Sequence, residues 1–361
     1  MKKFNLTLSF FAASMLVAAW GGQDKNVYGS TLTEQENGGS IYERSVENVL
    51  FQAEVIGAEK AQKGELQIPQ IQLQYLDEEK VTEAILKDIS IKETDHTEFV
   101  RDDGKESAVT YYTGENGEDL SVNPDSLSYS TPHFLYVMHS FDLERNPEKY
   151  STNAQLAFMD PEDAWEEAEG ILDTMGVELG TDVFHKYYAL DRQTLAAEEY
   201  VLGMDGNIDQ GAYKPEWTEQ DEGYYFCAWQ SYDGIPVHCS STEFIKKYGD
   251  FNAPLQLLLT PGGMSYLNLG RTFIMEPQEE VRTLASLDEI ADTFLQKMTM
   301  IITDASYRVD SMELCYYPLK VHQDTYEMTA IWVLDYVELQ PSGETRSLQM
   351  GINAFTAEEV Y

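Results

Sequence analysis

Apolar residues recur along this chain with two different periods. In three places the spacing is that of a helix. Asp77 precedes Val81, Ala84, Ile85 and Ile89, a spacing of three and four that predicts a short helix capped by Asp77. Asp160 is followed by Pro161, a cap with proline at the first helical position. The apolar set Ala164, Trp165, Ala168, Ile171, Leu172 and Met175 then leads to Gly176, a stop. Ser286 with Glu289 forms a capping box, after which Leu287, Ile290, Phe294, Leu295 and Met298 trace one helical face.

Elsewhere the period is two. Tyr326, Met328, Ala330, Trp332, Leu334 and Tyr336 share one face of a strand. Leu348, Met350, Ile352 and Ala354 alternate with polar partners in the same way, as do Ile71, Leu73 and Tyr75 with glutamines. Such alternation predicts sheets with one dry and one wet face. Turn residues at 261–263 and 114–117 favour antiparallel pairing. The order helix, strands, helix, strands, helix, strands predicts an α+β fold of repeated units, each one helix packed on antiparallel strands. The expected divisions are an N-terminal unit at 46–150, a middle unit at 151–275 and a C-terminal unit at 276–361.

The first 45 residues follow neither period. Lys2 and Lys3 precede an uncharged apolar run to Ala19, the length and flanks of an export signal over 1–19. The run is short for a membrane-spanning helix. Leu16, Ala18 and Ala19, with Gly21 and Gly22 beyond, resemble a bacterial lipoprotein signal, whose next residue is a lipid-accepting Cys. Position 20 is Trp20, which has no thiol to acylate. Val17 and Ala19 also suit cleavage by ordinary signal peptidase before Trp20. The expected location is therefore the outer face of the cytoplasmic membrane as a lipoprotein, or secretion if Trp20 is genuine. Residues 20–45, rich in Gly, Ser, Thr, Gln and Asn, read as a flexible tether.

Charge narrows the partners. With 63 acidic and 24 basic residues, the net is −39. That balance excludes nucleic acid, whose phosphates need local cations, and docking on anionic headgroups. Membrane contact is then expected only through the N-terminus. Three cysteines are present and none forms C-x-x-C. Cys227 and Cys239 flank an apparent hairpin. If residues 232–234 make a three-residue loop, Ser231 faces Ile235 and Cys227 faces Cys239. That allows a cross-strand disulfide; the alternative is two buried thiols.

Candidate chemistry is sparse. Asp205, Asn207, Asp209 and Glu216 match the oxygen spacing of a calcium loop. Gln210 stands where glycine is required, however, and Pro215 precedes the glutamate. The six histidines follow no metal-binding spacing, and neither a G-x-S-x-G nor a phosphate-binding loop occurs. His238 and Cys239 are adjacent, so on a strand they point to opposite faces. No catalytic residue and no cofactor is expected.

Residues 312–318, 329–334 and 352–358, together with the helix opening at Ser286 and the hairpin at 232–237, resemble the closing elements of exported PepSY-like and YycH/YycI-like modules of Gram-positive bacteria. Ala330 and Ala357 depart from that pattern, standing where Pro and Gly are usual. The resemblance implies a non-catalytic, surface-tethered interaction or regulatory protein of the cell envelope, acting on an envelope or membrane protein partner. The alternative is an exported hydrolase or carbohydrate-binding protein, to which the abundant tyrosines would lend stacking surfaces.

Overall fold

The computed structural model describes residues 30–34, 39–100, 106–180, 183–238, 253–301, 303–322 and 325–360. The signal segment, Trp20 and Cys239 lie outside them. No helix among the described residues is long and apolar enough to cross a membrane.

The chain first lays down three strands, β1 (Thr31–Glu34), β2 (Ser40–Val46) and β3 (Val49–Ile56). A short helix α1 (Ala58–Lys63), strands β4 (Glu65–Gln67) and β5 (Gln70–Leu73), and helix α2 (Glu78–Leu86) follow. Strands β6 (Ile91–Val100), β7 (Glu106–Gly114), β8 (Asp119–Asn123) and β9 (Ser126–Ser130) lead into helices α3 (Pro132–Ser140) and α4 (Pro161–Met175). Next come β10 (Phe184–Leu190), α5 (Arg192–Glu198), β11 (Gly223–Trp229), β12 (Ser231–Tyr232) and β13 (Ile235–Pro236). Strands β14 (Leu255–Thr260), β15 (Gly263–Leu269), β16 (Phe273–Glu276) and β17 (Val281–Thr283) precede α6 (Leu287–Met300). The long strands β18 (Ser306–His322), β19 (Thr325–Leu339) and β20 (Thr345–Asn353) close the described chain.

These strands form two large sheets. The first has six, in the order β1-β2-β3-β18-β19-β20. Its central pair, β3 with β18, is parallel, and the other pairs are antiparallel. Helix α6 lays Ile290, Ala291, Phe294, Leu295 and Met298 on this sheet, against Phe51, Trp332 and their neighbours. The second sheet has eight antiparallel strands, β10-β11-β14-β15-β9-β8-β7-β6. Helices α2 and α4 cover one of its faces and α3 and α5 the other. The two passages between the sheets pair with each other, β4 with β17 and β5 with β16. Buried Gln74 and Gln230 tie this junction: Gln74 Nε2 donates to Gly176 O (2.8 Å), and Gln230 Nε2 donates to Phe273 O (2.7 Å).

The expected α+β repeat of one helix on local strands is corrected here. Among the described residues the structure is mostly β, 46% strand against 23% helix, and the six α-helices there do not each own a strand set. The error lies in assigning strands to the nearest helix. Sheet partners come from far along the chain, so the divisions near 150 and 275 do not follow the sheets: strands from 46–150 contribute to both. The tether at 20–45 is also corrected over its described part. Both β1 and β2 are strands of the first sheet, and Tyr42 is buried edge-on against Phe51. A polar composition describes an exposed sheet margin as well as it describes a linker.

The helix at Asp77 and the capping box at Ser286 form as the pattern predicts, with Asp77 accepting from Glu79 N and Ser286 from Glu289 N. Helix α4 ends at Gly176 in a left-handed conformation. The hairpin at 231–236 differs from expectation. Ser231 pairs with Pro236 and Tyr232 with Ile235, so the turn has two residues, Asp233 and Gly234, both with positive φ. That is the type I′ geometry suited to Asp-Gly.

Candidate interaction surface

Helix α3 is unusual in this acidic chain because it carries no carboxylate and no lysine or arginine. Thr131 precedes it and Pro132 occupies its first turn. Its inner face places Phe134, Val137 and Ser140 on the second sheet, and the Phe134 ring stacks on Tyr266 with centroids 3.8 Å apart. Its outer face is equally apolar and bare. Leu135 is 57% exposed and Met138 51%, with Tyr136 beside them. A helix that is apolar all round is normally buried all round.

The loop after α5 continues this surface. Tyr200 N donates to His139 O (2.8 Å), joining the loop to the end of α3. Leu202 and Ile208 form an isolated antiparallel bridge, and both are 54% exposed; Met204 stands fully in solvent between them. Arg145 fixes the seam. Its Nη2 donates to His139 O (3.0 Å) and Ser140 O (3.2 Å), and its guanidinium lies 5.3 Å from the Tyr200 ring centre. Exposed apolar side chains thus stand on both segments joined at the His139–Tyr200 link, and clustered exposure of this kind marks an interaction site more often than a bare monomer surface.

The start of α3 is held by a polar clamp. Ser265 is the extra residue of a β-bulge in β15, between Met264 opposite Leu259 and Tyr266 opposite Leu258. Its Oγ lies 3.0 Å from His133 Nδ1 and 2.7 Å from Thr131 Oγ1. His133 Nε2 is 3.3 Å from Asp221 Oδ1, off the hydrogen-bonding direction. Asp221 Oδ2 accepts from Lys214 Nζ (2.9 Å), Thr218 N (2.7 Å) and Thr218 Oγ1 (2.9 Å). Glu199, also buried, accepts from Lys214 N and Trp217 Nε1. Burial holds His133 below its usual range, with Lys214 acting in the same direction and Asp221 opposing. Burial would raise the Asp221 carboxyl, but Lys214 and Thr218 outweigh it and keep it low.

Ser, His and Asp together invite a hydrolase reading, which the geometry does not favour. Ser265 is buried in a sheet, and Asp221 is committed to Lys214 and Thr218 rather than to orienting the imidazole. Two surface depressions lie away from these residues. One of about 340 Å³ is lined by Thr31, Glu43, Arg44 and Gln52, and one of about 450 Å³ by Asn48, Met298, Thr303 and Asp304. Both are open margins of the first sheet. Unsatisfied polar atoms point back to α3. Four buried side-chain atoms lack a hydrogen-bond partner among the described residues, and three of them, His133 Nε2, His139 Nδ1 and Ser140 Oγ, belong to this helix.

The residues singled out from sequence fall away from this surface or beside it. Asp205, Asn207 and Asp209 lie in the exposed loop. Asp205 accepts from Asn207 N and Nδ2, and Asp209 Oδ1 accepts from Gly211 N, so these oxygens serve the loop's own turns. Glu216 is exposed, and its carbonyl accepts from Lys214 Nζ. No group of three or more His, Cys, Asp or Glu side chains among the described residues is placed to hold a metal ion. Cys227 is buried in β11, where Lys186 of β10 and Gln256 of β14 occupy the positions on either side. Its expected partner Cys239, like the lipid-attachment position Trp20, is outside the described residues.

No family model matches this chain, and no curated protein matches it. Among solved structures it is similar to an uncharacterised protein from Eubacterium rectale. The likeness has a TM-score of 0.59 at 16% sequence identity and covers 87% of this chain and 91% of that one. At that identity the likeness concerns the fold.

Proposed function

We propose that this protein is an exported, non-catalytic interaction or regulatory protein of the cell envelope, tethered at the membrane or secreted, which engages a protein partner through the outer face of α3 and the 200–208 loop. The observation that carries this reading is the bare apolar side of α3, continued by Leu202, Met204 and Ile208. The uncharged apolar run that follows Lys2 and Lys3 supports export, and the clamp around Asp221 gives the patch a firm base. The experiment is photo-crosslinking in intact cells, with a photoreactive residue at Met138 and a control at Val281, an exposed position on β17. The expected result is a discrete protein adduct from position 138 and none from 281. Equal labelling from both positions, or none from either, overturns the proposal.

A further inference from the structure

We propose that the partner meets this surface with a cationic, apolar-faced protein segment, such as an amphipathic stretch carrying Lys or Arg beside its apolar side chains. This rests on the interaction reading above and specifies its chemistry. The apolar half follows from Leu135, Met138, Leu202 and Ile208, which can be dried only by apolar counterparts.

The cationic half follows from the carboxylates carried by the same segments. Asp142 and Glu144 come directly after α3. Glu198 ends α5, which packs on α3 in the same core. Asp205 and Asp209 stand in the loop itself, and hydrogen bonds from Asn207 hold the Asp205 carboxyl below its ordinary value, so it stays ionised. Against these five carboxylates, the arginine at the seam, Arg145, is already bound to two carbonyls and laid over Tyr200.

Long-range forces agree. A net charge of −39 steers cationic partners inward and repels both a second copy and an anionic lipid surface. Charged rims set encounter and register, while the apolar centre sets residence, so both halves are needed for a specific complex.

The test uses the full chain and synthetic probes in a titration. One peptide is an amphipathic Lys/Leu helix. A second keeps its leucines with Glu for Lys, and a third keeps its lysines with Ser for Leu. Vesicles of phosphatidylglycerol and phosphatidylcholine form a fourth arm. The Lys/Leu peptide is expected to bind at least about tenfold more tightly than the other two. Met138→Ser with Leu202→Ser is expected to weaken it by about tenfold or more, with an unchanged circular dichroism spectrum. Leu135→Ser alone is expected to act in the same direction and serves if the double variant misfolds.

Equal binding of the Lys/Ser peptide, indifferent to the variants, would reduce the effect to bulk acidity and overturn the proposal. Preference for the Glu/Leu peptide, vesicle binding lost in the variants, or self-association lost in the variants would also overturn it, the last two assigning the patch to lipid or to a second copy. A position-138 crosslink to a protein without a basic contact segment would sink this inference while leaving the interaction reading intact.

Discussion

Helices α3 and α6 each lie on a sheet, yet only one of them is finished. Helix α6 is amphipathic. Its apolar side is buried on the first sheet, and its outer side shows Asp288, Glu289, Asp292 and Lys297 to water. Helix α3 buries Phe134 and Val137 as thoroughly but presents Leu135, Tyr136 and Met138 where α6 presents charge. The packing beneath the two helices is of similar quality: Phe294 meets Phe51 and Tyr336 edge-on, and Phe134 stacks on Tyr266. What separates them is the residue choice on the side that stability does not need. The proposed contact surface rests on that contrast and on no catalytic constellation.

The largest effect that would test the comparison is on α6. Phe294→Ala should cost about 3–5 kcal/mol in urea unfolding, because a fully buried ring leaves a cavity the sheet cannot fill. Leu135→Ser and Met138→Ser on the outer side of α3 should each stay within about 0.5 kcal/mol. Comparable losses at the two helices would mean that the outer face of α3 is covered in the free protein.

Next in size is the clamp. Asp221→Ala strips Lys214 of its carboxylate and Thr218 N of its acceptor in a largely buried setting, and should cost about 2–4 kcal/mol. Amide exchange in α3 should quicken with it. Ser265→Ala, by contrast, removes two neutral contacts, to His133 Nδ1 and Thr131 Oγ1, and should cost about 1–2 kcal/mol. A loss at Ser265 as large as that at Asp221 would shift the weight of the clamp to the serine–histidine side.

A smaller effect than those of Phe294 and Asp221 concerns the side of the first sheet that faces away from α6. There, burial pushes the Glu313 carboxyl up from 4.5 to about 7, and the charge on Asp335 adds to the shift. Between those values the folded protein holds the proton that the unfolded chain has released, so stability falls as pH rises through this window and levels off above it. Glu313→Gln should flatten that slope and add about 1–3 kcal/mol at pH 8. An unchanged pH profile would mean that Glu313 is hydrated and that this side of the sheet is wetter than the side under α6.

How much of this was legible in the sequence depended on whether an element has one dry face or two. The helices α2, α4 and α6 and the strand β20 announce themselves because polar residues mark their wet sides. Strand β14 does not: Leu255, Leu257, Leu258 and Leu259 are all buried, since helices cover both faces of its sheet. Helix α3 was missed for the opposite reason, having an apolar side that stands exposed among the described residues. Thr131 followed by Pro132, and nine residues without an acid, lysine or arginine in so acidic a chain, were the available signals. The clamp had none. His133, Lys214 with Asp221, and Ser265 come from three separate segments and meet only when the second sheet is assembled. The calcium-like spacing at 205–216 was a pattern in letters, where the backbone uses the same oxygens to close its own turns.

The parallel partnership of β3 with β18 bears on how such a chain matures. Everything that builds the eight-stranded sheet is threaded between those two strands, so the six-stranded sheet cannot close until the last stretch of polypeptide has emerged. Until β18 is made, the early hairpin of β2 and β3 stands with one edge unmatched. The long strand that fills that edge also brings β19 and β20 with it.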